Sequence, residues 1–256
     1  MIPGIPIVEL FGIPVANLSM DETLDLIRRR VRNREPLHHI VINAGKVVAM
    51  QKDEPLRRSV LEADLINADG ISIVWASKIL GKPLKERVAG IDLMNRLVEN
   101  AASEGHKIFL FGAREEVVSK VKDIWSEKYG PEIIAGYRNG YFGPEDEENI
   151  AKQIAASGAD LLFVAISSPK KEIFLKKYKH ILKNVPFVMG VGGSFDVVAG
   201  KTKRAPLWMQ KAGLEWFYRL IQEPRRMWRR YLIGNAEFLM LLLKEFFRKS
   251  RNNAAS

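Results

Sequence analysis

In the stretch INADGIS, residues 66 to 72, an aspartate stands where an apolar run stops and a helix-like segment, ISIVWASKIL, begins. A carboxylate at the end of a buried strand can take the proton of a substrate hydroxyl held within hydrogen-bond reach, and an ordinary pKa of roughly 4 keeps it ionised at neutral pH. Asp69 is therefore a candidate general base. Arg87, in KERVAG, and the pair Lys170 and Lys171, in SSPKKE, are candidate cations for the same edge. A diphosphate gathers negative charge as its bond to a sugar breaks, and a guanidinium can stabilise it with paired hydrogen bonds. No D-x-D motif offers a seat for Mg²⁺ or Mn²⁺, so metal-independent chemistry without a cofactor is the expectation. Each residue also has a plainer use: Asp69 as the N-cap of the next helix, and the cations as solvated surface.

Positioning these residues falls to an alternation of short β-rich runs and amphipathic helices from about residue 20 to about residue 200. Strands are predicted at 38–43, 64–68, 107–111, 132–137, 160–166 and 186–191. Ser19 and Glu22 form an S-x-x-E capping box ahead of LDLIRRRVRN, while Gly81, Gly105, Gly130 and Gly158 mark helix ends. This pattern predicts an α/β fold, a Rossmann-like, mostly parallel sheet with helices on both faces. Ligands of such sheets bind outside the carboxyl ends of the strands. The residues found there are Asn43, Asp69, Gly112, Arg138, Ser167 with Ser168, and Gly192 with Gly193. Small and polar residues suit a phosphorylated ligand, and they equally suit the turns and caps that every βα junction needs. GVGGSFD, at 190–196, would let a ligand approach the backbone closely, with Asp196 available to a ribose or base edge. The dinucleotide and P-loop fingerprints are both absent. His38 and His39 point to opposite faces of one strand and read as packing residues. EDEEN, at 145–149, reads as the acidic first turn of a solvated helix behind Pro144.

A chain of 256 residues, 47% hydrophobic and 27% charged, can bury one large core, with or without an appendage. The absence of cysteine excludes disulfides and thiolate metal sites, and four scattered histidines argue against a zinc centre. Glu9 inside the apolar N-terminal stretch, without a basic n-region, does not fit a signal peptide. A reducing, cytoplasmic setting is expected. Residues 201–256 hold 13 Lys and Arg against 4 Glu, a balance of +9 that leaves about +1 of the total +10 for the rest. This division suggests a catalytic domain over 1–200 and a basic helical appendage over 201–256. Three of the five tryptophans lie in the appendage, a composition suited to lipid headgroups or to RNA. Arg225, Arg226, Arg229 and Arg230 would share one arc of a continuous helix. The longest apolar run there, FLMLLL, is far short of the roughly 18–20 residues needed to span a bilayer. The appendage could therefore lie on an anionic membrane surface, dock on the core, or form a dimer contact.

Read together, NAGKVVAMQKDE, Ala68-Asp69-Gly70, ERVAGIDLM, FLFGA, GYF, GVGGSFDVVAG and KRAPLWMQKAGLEWFYRLIQEPRRMWRRY resemble the WecG/TagA/CpsF glycosyltransferases, in the family's order and over about residues 8 to 240. The resemblance implies the Rossmann-like fold termed GT-E. It also implies an inverting transfer of N-acetylmannosamine from a UDP-sugar donor to a polyprenyl-diphosphate-linked acceptor, undecaprenyl-diphospho-GlcNAc, in the synthesis of teichoic acid or a related surface glycan. By the same resemblance Asp69 is the base acting on the acceptor's 4-hydroxyl, Asn43 lines the donor pocket and Arg87 serves the diphosphate. Arg219, Arg225, Arg226 and Arg229 belong to an appendage that closes over the site at the inner face of the cell membrane. Two positions depart from the family pattern: Val41 stands where T-x-N has threonine, and Lys171 where G-x-P-x-Q-E has glutamine. An ammonium there could meet a phosphate or an acidic sugar, so the donor sugar stays open. Other open readings are an RNA-binding module with a basic tail, a non-catalytic sugar-nucleotide sensor, and a homo-oligomer.

Overall fold

The computed structural model describes residues 2–254; the side chains of residues 211, 226, 227, 229, 230 and 249–254 lie outside that description. Six strands form one parallel sheet: β3 (Leu37–Ile42), β4 (Leu65–Ala68), β5 (Ile108–Gly112), β6 (Ile134–Arg138), β7 (Leu161–Ala165) and β8 (Phe187–Gly190). Their spatial order is β4-β3-β8-β7-β5-β6. All six fall within two residues of the sequence prediction. A two-stranded antiparallel hairpin precedes them, β1 (Ile7–Leu10) and β2 (Ile13–Ala16). Its Leu10, Ile13 and Val15 are buried beside β4, which places the apolar N-terminal stretch in the core.

The helices in chain order are α1 (Met20–Arg32), α2 (Ala44–Met50), α3 (Glu54–Leu61), α4 (Ile71–Ile79), α5 (Gly90–Glu104), α6 (Glu115–Tyr129), α7 (Glu147–Ala156), α8 (Lys170–Lys177), α9 (Ser194–Val198), α10 (Leu207–Lys211), α11 (Glu215–Gln222), α12 (Pro224–Trp228) and α13 (Gly234–Ala254). Side chains alternate across a strand, so one strand feeds two cores. On β5, Ile108 and Leu110 pack with α1, α5, α6 and α9, whereas Phe109 and Phe111 pack with α7 and α8. A third cluster holds Ile40, Ile42, Ile66 and Ala68 against α2, α3, α4 and the hairpin. The two layers of helices therefore cover both faces of the sheet, as the βα alternation predicts.

Local signals hold where they were read. The Ser19 hydroxyl accepts the Glu22 N–H at 3.1 Å and the Glu22 carboxylate accepts the Ser19 N–H at 2.7 Å, completing the capping box. Gly105 and Gly130 end α5 and α6. Glu147 and Glu148 open α7 behind a short 3₁₀ turn at Pro144–Asp146. His39 is buried and pairs through Nε2 with Asn67 Oδ1 at 3.0 Å, while His38 faces the other side, buried and pushed down to about 4 by desolvation.

The C-terminal segment departs from a single helix. α12 is short, and Arg229–Ile233 is wound as a π-helix before α13 begins. The winding widens from Arg229 onward, and the side chains of Arg226, Arg229 and Arg230, three of the four arginines of the expected arc, lie outside the described residues. α13 lays Phe238 and Leu242 into the cluster around α2 and the hairpin, with Phe238 against Phe11. Leu239, Met240, Leu243, Phe246 and Phe247 on the same helix are exposed. Among the described residues, no helix is long and apolar enough to cross a membrane.

Candidate active site at the carboxyl edge of the sheet

β3 and β4 are neighbours in parallel register, Ile42 opposite Ala68, so the residues that follow them emerge side by side. Asn43 caps α2, its Oδ1 accepting the Lys46 N–H at 3.0 Å. Asp69 does not cap the helix that follows it. The N-cap of α4 is Gly70, which offers no side chain, and Asp69 Oδ1 instead accepts the N–H of Gly90, at the start of α5, at 3.2 Å. The plain structural use of Asp69 as the cap of its own helix therefore fails. Gly70 packs so closely on Asn43 that a Cβ would lie 3.1 Å from Asn43 Cβ, and Val41 flanks Gly90 from β3.

The loop after α4 returns Arg87 to this edge. Its Nε donates to the Asp69 carbonyl at 2.5 Å and its Nη2 lies 3.7 Å from Asp69 Oδ1. The carboxylate and the guanidinium are respectively 29% and 21% exposed, partly screened from solvent. Desolvation raises the Asp69 pKa most strongly and Glu215 adds to it, while Arg87, the Gly90 N–H and Lys46 act in the opposite sense; the net shift is upward. A carboxylate so placed holds a proton more readily than a free one, which suits a base that must collect a hydroxyl proton during reaction.

Arg87 Nη2 also pairs with Glu215 of α11, and Glu215 Oε1 lies 3.6 Å from Arg204 Nε. Arg204 is fixed in turn by two bonds to Asp92, at 2.5 and 2.7 Å. A line of alternating charges thus runs Asp69, Arg87, Glu215, Arg204, Asp92. Glu215 was not singled out from sequence. Its one legible signal is its isolation, as one of only four acids in the strongly basic segment 201–256.

The turn after β8 lies under the same helix. Gly192 has φ +54°, a left-handed conformation that glycine adopts without strain. A Cβ on Gly193 would sit 3.4 Å from Arg219 Nη2 and 3.9 Å from Asp196 Oδ2, so the structure places Arg219, Gly193 and Asp196 close together. Gly112 answers a different need: at φ +122° a Cβ would lie 2.5 Å from the Ala165 carbonyl, so glycine there permits the approach of β5 to β7. Arg225 is exposed on α12, and the side chains of Arg226 and Arg229 lie outside the described residues.

Lys171 turns inward. Its Nζ and that of Lys46 each lie 2.8 Å from Glu172 Oε1, and the three side chains are 9%, 9% and 2% exposed. The aliphatic stem of Lys171 packs against Gly190, where a Cβ would meet its Cε at 2.8 Å. Burial raises the Glu172 pKa, but Lys46 and then Lys171 outweigh it and hold the carboxyl at about 2.

Over residues 8–252 the chain matches the family described as the glycosyl transferase WecG/TagA/CpsF family. It belongs to that family. Two relatives carry the name N-acetylglucosaminyldiphosphoundecaprenol N-acetyl-beta-D-mannosaminyltransferase. That of Bacillus spizizenii strain W23 is 42% identical over 185 residues, covering 72% of this chain and 70% of the relative. That of Bacillus subtilis strain 168 is 34% identical over 237 residues, covering 92% and 91%. The match takes in Asp69, Arg87 and the residues of α11 alike. At the strand edge of this chain a carboxylate, Asp69, and a guanidinium, Arg87, lie side by side.

Proposed function

We propose that this glycosyltransferase moves N-acetylmannosamine from its UDP conjugate to the 4-hydroxyl of undecaprenyl-diphospho-GlcNAc, with inversion at the anomeric carbon. The names of the two Bacillus relatives support this choice of sugars. Asp69 takes the proton of the acceptor O4 as that oxygen bonds to the anomeric carbon. The bond from that carbon to the UDP oxygen breaks, and Arg87 meets the charge that develops on the diphosphate. Asn43, Gly192, Gly193, Asp196 and Arg219 line the donor side of the same edge. No divalent ion is required in this reading, because the guanidinium does the electrostatic work.

The appendage suits a membrane-bound acceptor. Of the 18 large hydrophobic side chains exposed among the described residues, 12 belong to residues 207–247, in the segment that also carries the excess of Lys and Arg. Apolar contact with acyl chains and attraction to anionic headgroups, about 1 kcal/mol per basic residue near the surface, would hold it on the cytoplasmic face of the membrane. Residues 1–200 then carry the chemistry, while residues 201–256 close over the edge and meet the lipid.

The observation that carries the reading is the Asp69 carboxylate, left uncommitted to its own helix and set 3.7 Å from Arg87. The test is UDP release from UDP-ManNAc with a short-chain lipid-diphospho-GlcNAc, with and without EDTA. Turnover that survives EDTA and falls about 10²- to 10⁴-fold in Asp69→Asn, with UDP binding retained, is expected. Near-normal turnover in that variant removes Asp69 as the base, and loss of turnover in EDTA removes the metal-free mechanism.

A further inference from the structure

We propose that Glu215 is a positioning residue for the transfer reaction: carried on α11 of the C-terminal segment, its carboxylate holds the Arg87 guanidinium beside Asp69 and makes the docked segment a working part of the catalytic centre. The inference rests on the transfer reading above.

Three placements support it. First, Glu215 is gripped from two sides. Oε2 takes Arg87 and Oε1 faces Arg204, and Arg204 is anchored to α5 through both oxygens of Asp92. Its position is therefore set by the core domain as well as by its own helix, and a guanidinium bound to it inherits that fixity. Second, Glu215 opens α11, where the helix dipole favours an anion. Its carboxylate reaches another element instead of closing a capping box, since α11 has no side-chain cap. Third, Arg219 lies one turn along the same helix and reaches Gly193 beside β8. Residues four apart share a helix face, so α11 bridges the carboxyl edge with Glu215 toward β4 and Arg219 toward β8. Undocking this helix would release Arg87 and withdraw Arg219 together.

The charges facing Asp69 decide what loss of Glu215 would do. They are Arg87 from the loop after α4, Lys46 from α2, the Gly90 amide from α5 and Glu215 from α11. Glu215 is the one anion among them and favours the protonated base. Neutralising it leaves Arg87, Lys46 and the amide without an opposing anion, which favours the ionised carboxylate. A residue that merely secured folding would leave the titration of Asp69 where it is.

The experiment compares wild type, Glu215→Gln and Glu215→Asp by pH–rate profiles with UDP-ManNAc and short-chain lipid-diphospho-GlcNAc. Glu215→Gln is expected to lower kcat about tenfold or more, to change the donor KM by less than about threefold, and to move the acid limb to lower pH. Glu215→Asp, which keeps the charge on a shorter stem, should recover part of kcat and restore the limb. A Gln variant whose acid limb overlays that of wild type, or whose kcat is unchanged, overturns the proposal. A second measurement needs no turnover: ¹³C-carboxyl NMR titration of Asp69, its signal assigned by loss in Asp69→Asn, should show a lower midpoint in Glu215→Gln. An inactive wild type would sink the transfer reading, whereas an Asp69 midpoint unmoved by Glu215→Gln would sink this one. If the Gln variant fails to fold, Glu215→Ala, which also removes the charge, takes its place, and an unshifted Asp69 midpoint or an unchanged kcat in that variant overturns the proposal.

Discussion

Glu172→Gln should cost this protein about 3 kcal/mol of stability at neutral pH, and the figure follows from one buried cluster. Two ammonium groups reach the same carboxylate oxygen at 2.8 Å, and the glutamate side chain is only 2% exposed. The carboxyl sits at about 2 against an ordinary 4.5. At about 1.4 kcal/mol per unit, that gap corresponds to about 3 kcal/mol, in line with the cost of removing one partner from a buried ion pair. Glutamine keeps the shape and one acceptor but leaves Lys46 and Lys171 facing each other without a counter-charge. Because the folded pKa is depressed, the stabilisation is complete above about 4.5 and is lost as pH falls toward 2. Urea unfolding followed by tryptophan fluorescence should therefore show a wild-type-to-variant gap of about 3 kcal/mol at pH 7 that narrows below about pH 4.5. Adding Lys171→Met to the Gln variant should recover much of the loss by removing one of the two opposed charges. A gap under about 1 kcal/mol, or one that does not narrow with acid, would refute the cluster as the source of this stability.

The other consequences concern the site and the membrane. In wild type, kcat should fall with acid along a limb lying above that of an ordinary carboxylate, because desolvation and Glu215 raise the Asp69 pKa; a limb at the ordinary Asp position would contradict this. The same raised pKa means that the ionised side chain costs stability as pH rises through it, so Asp69→Asn should melt at the same or a higher temperature at pH 8, by about 2–4 °C for each 1 kcal/mol relieved. Arg87→Ala should lower kcat by about 10²-fold or more, and Arg87→Lys should restore little, because an ammonium cannot reproduce the fork that meets the Asp69 carbonyl and Glu215 at once. Leu243→Glu with Phe247→Glu, both exposed on α13, should reduce cosedimentation with anionic liposomes without changing the fold; unchanged binding would remove α13 from the membrane surface.

The sheet was legible because each strand carries its own signal: an apolar run of a few residues closed by Gly, Asn or Asp, with helical periodicity after it. The hairpin at Ile7–Ala16 was not, because Pro14 lies within β2 and both strands have only four residues, which gain their stability from burial against β4 rather than from propensity. At the site, the position of Asp69 at a strand end was readable, and so was its kinship with Arg87. That Gly70, not Asp69, caps α4 was not readable, because Asp followed by Gly ahead of an apolar helix fits a cap equally well. The inward turn of Lys171 and the reach of Glu215 depend on long-range packing. Adjacent residues in SSPKKE give no sign that one lysine meets solvent and Phe142 while the other is sealed against Gly190.

These clusters are not independent, and Lys46 joins them. It stands in the first turn of α2, neutralises Glu172 on one side and favours ionised Asp69 on the other. An ammonium already paired at 2.8 Å exerts a weaker field on a second carboxylate than a free one does, so Glu172 indirectly protects the proton affinity of the base. The base is thus balanced between two anions placed at a remove, Glu172 behind Lys46 and Glu215 behind Arg87. Each cation closest to Asp69 is held by a carboxylate of its own. An aspartate with two unpaired cations beside it would stay ionised through the whole reaction and accept a hydroxyl proton poorly. In the proposed transfer, pairing each cation would leave it able to meet a phosphate while limiting its pull on Asp69.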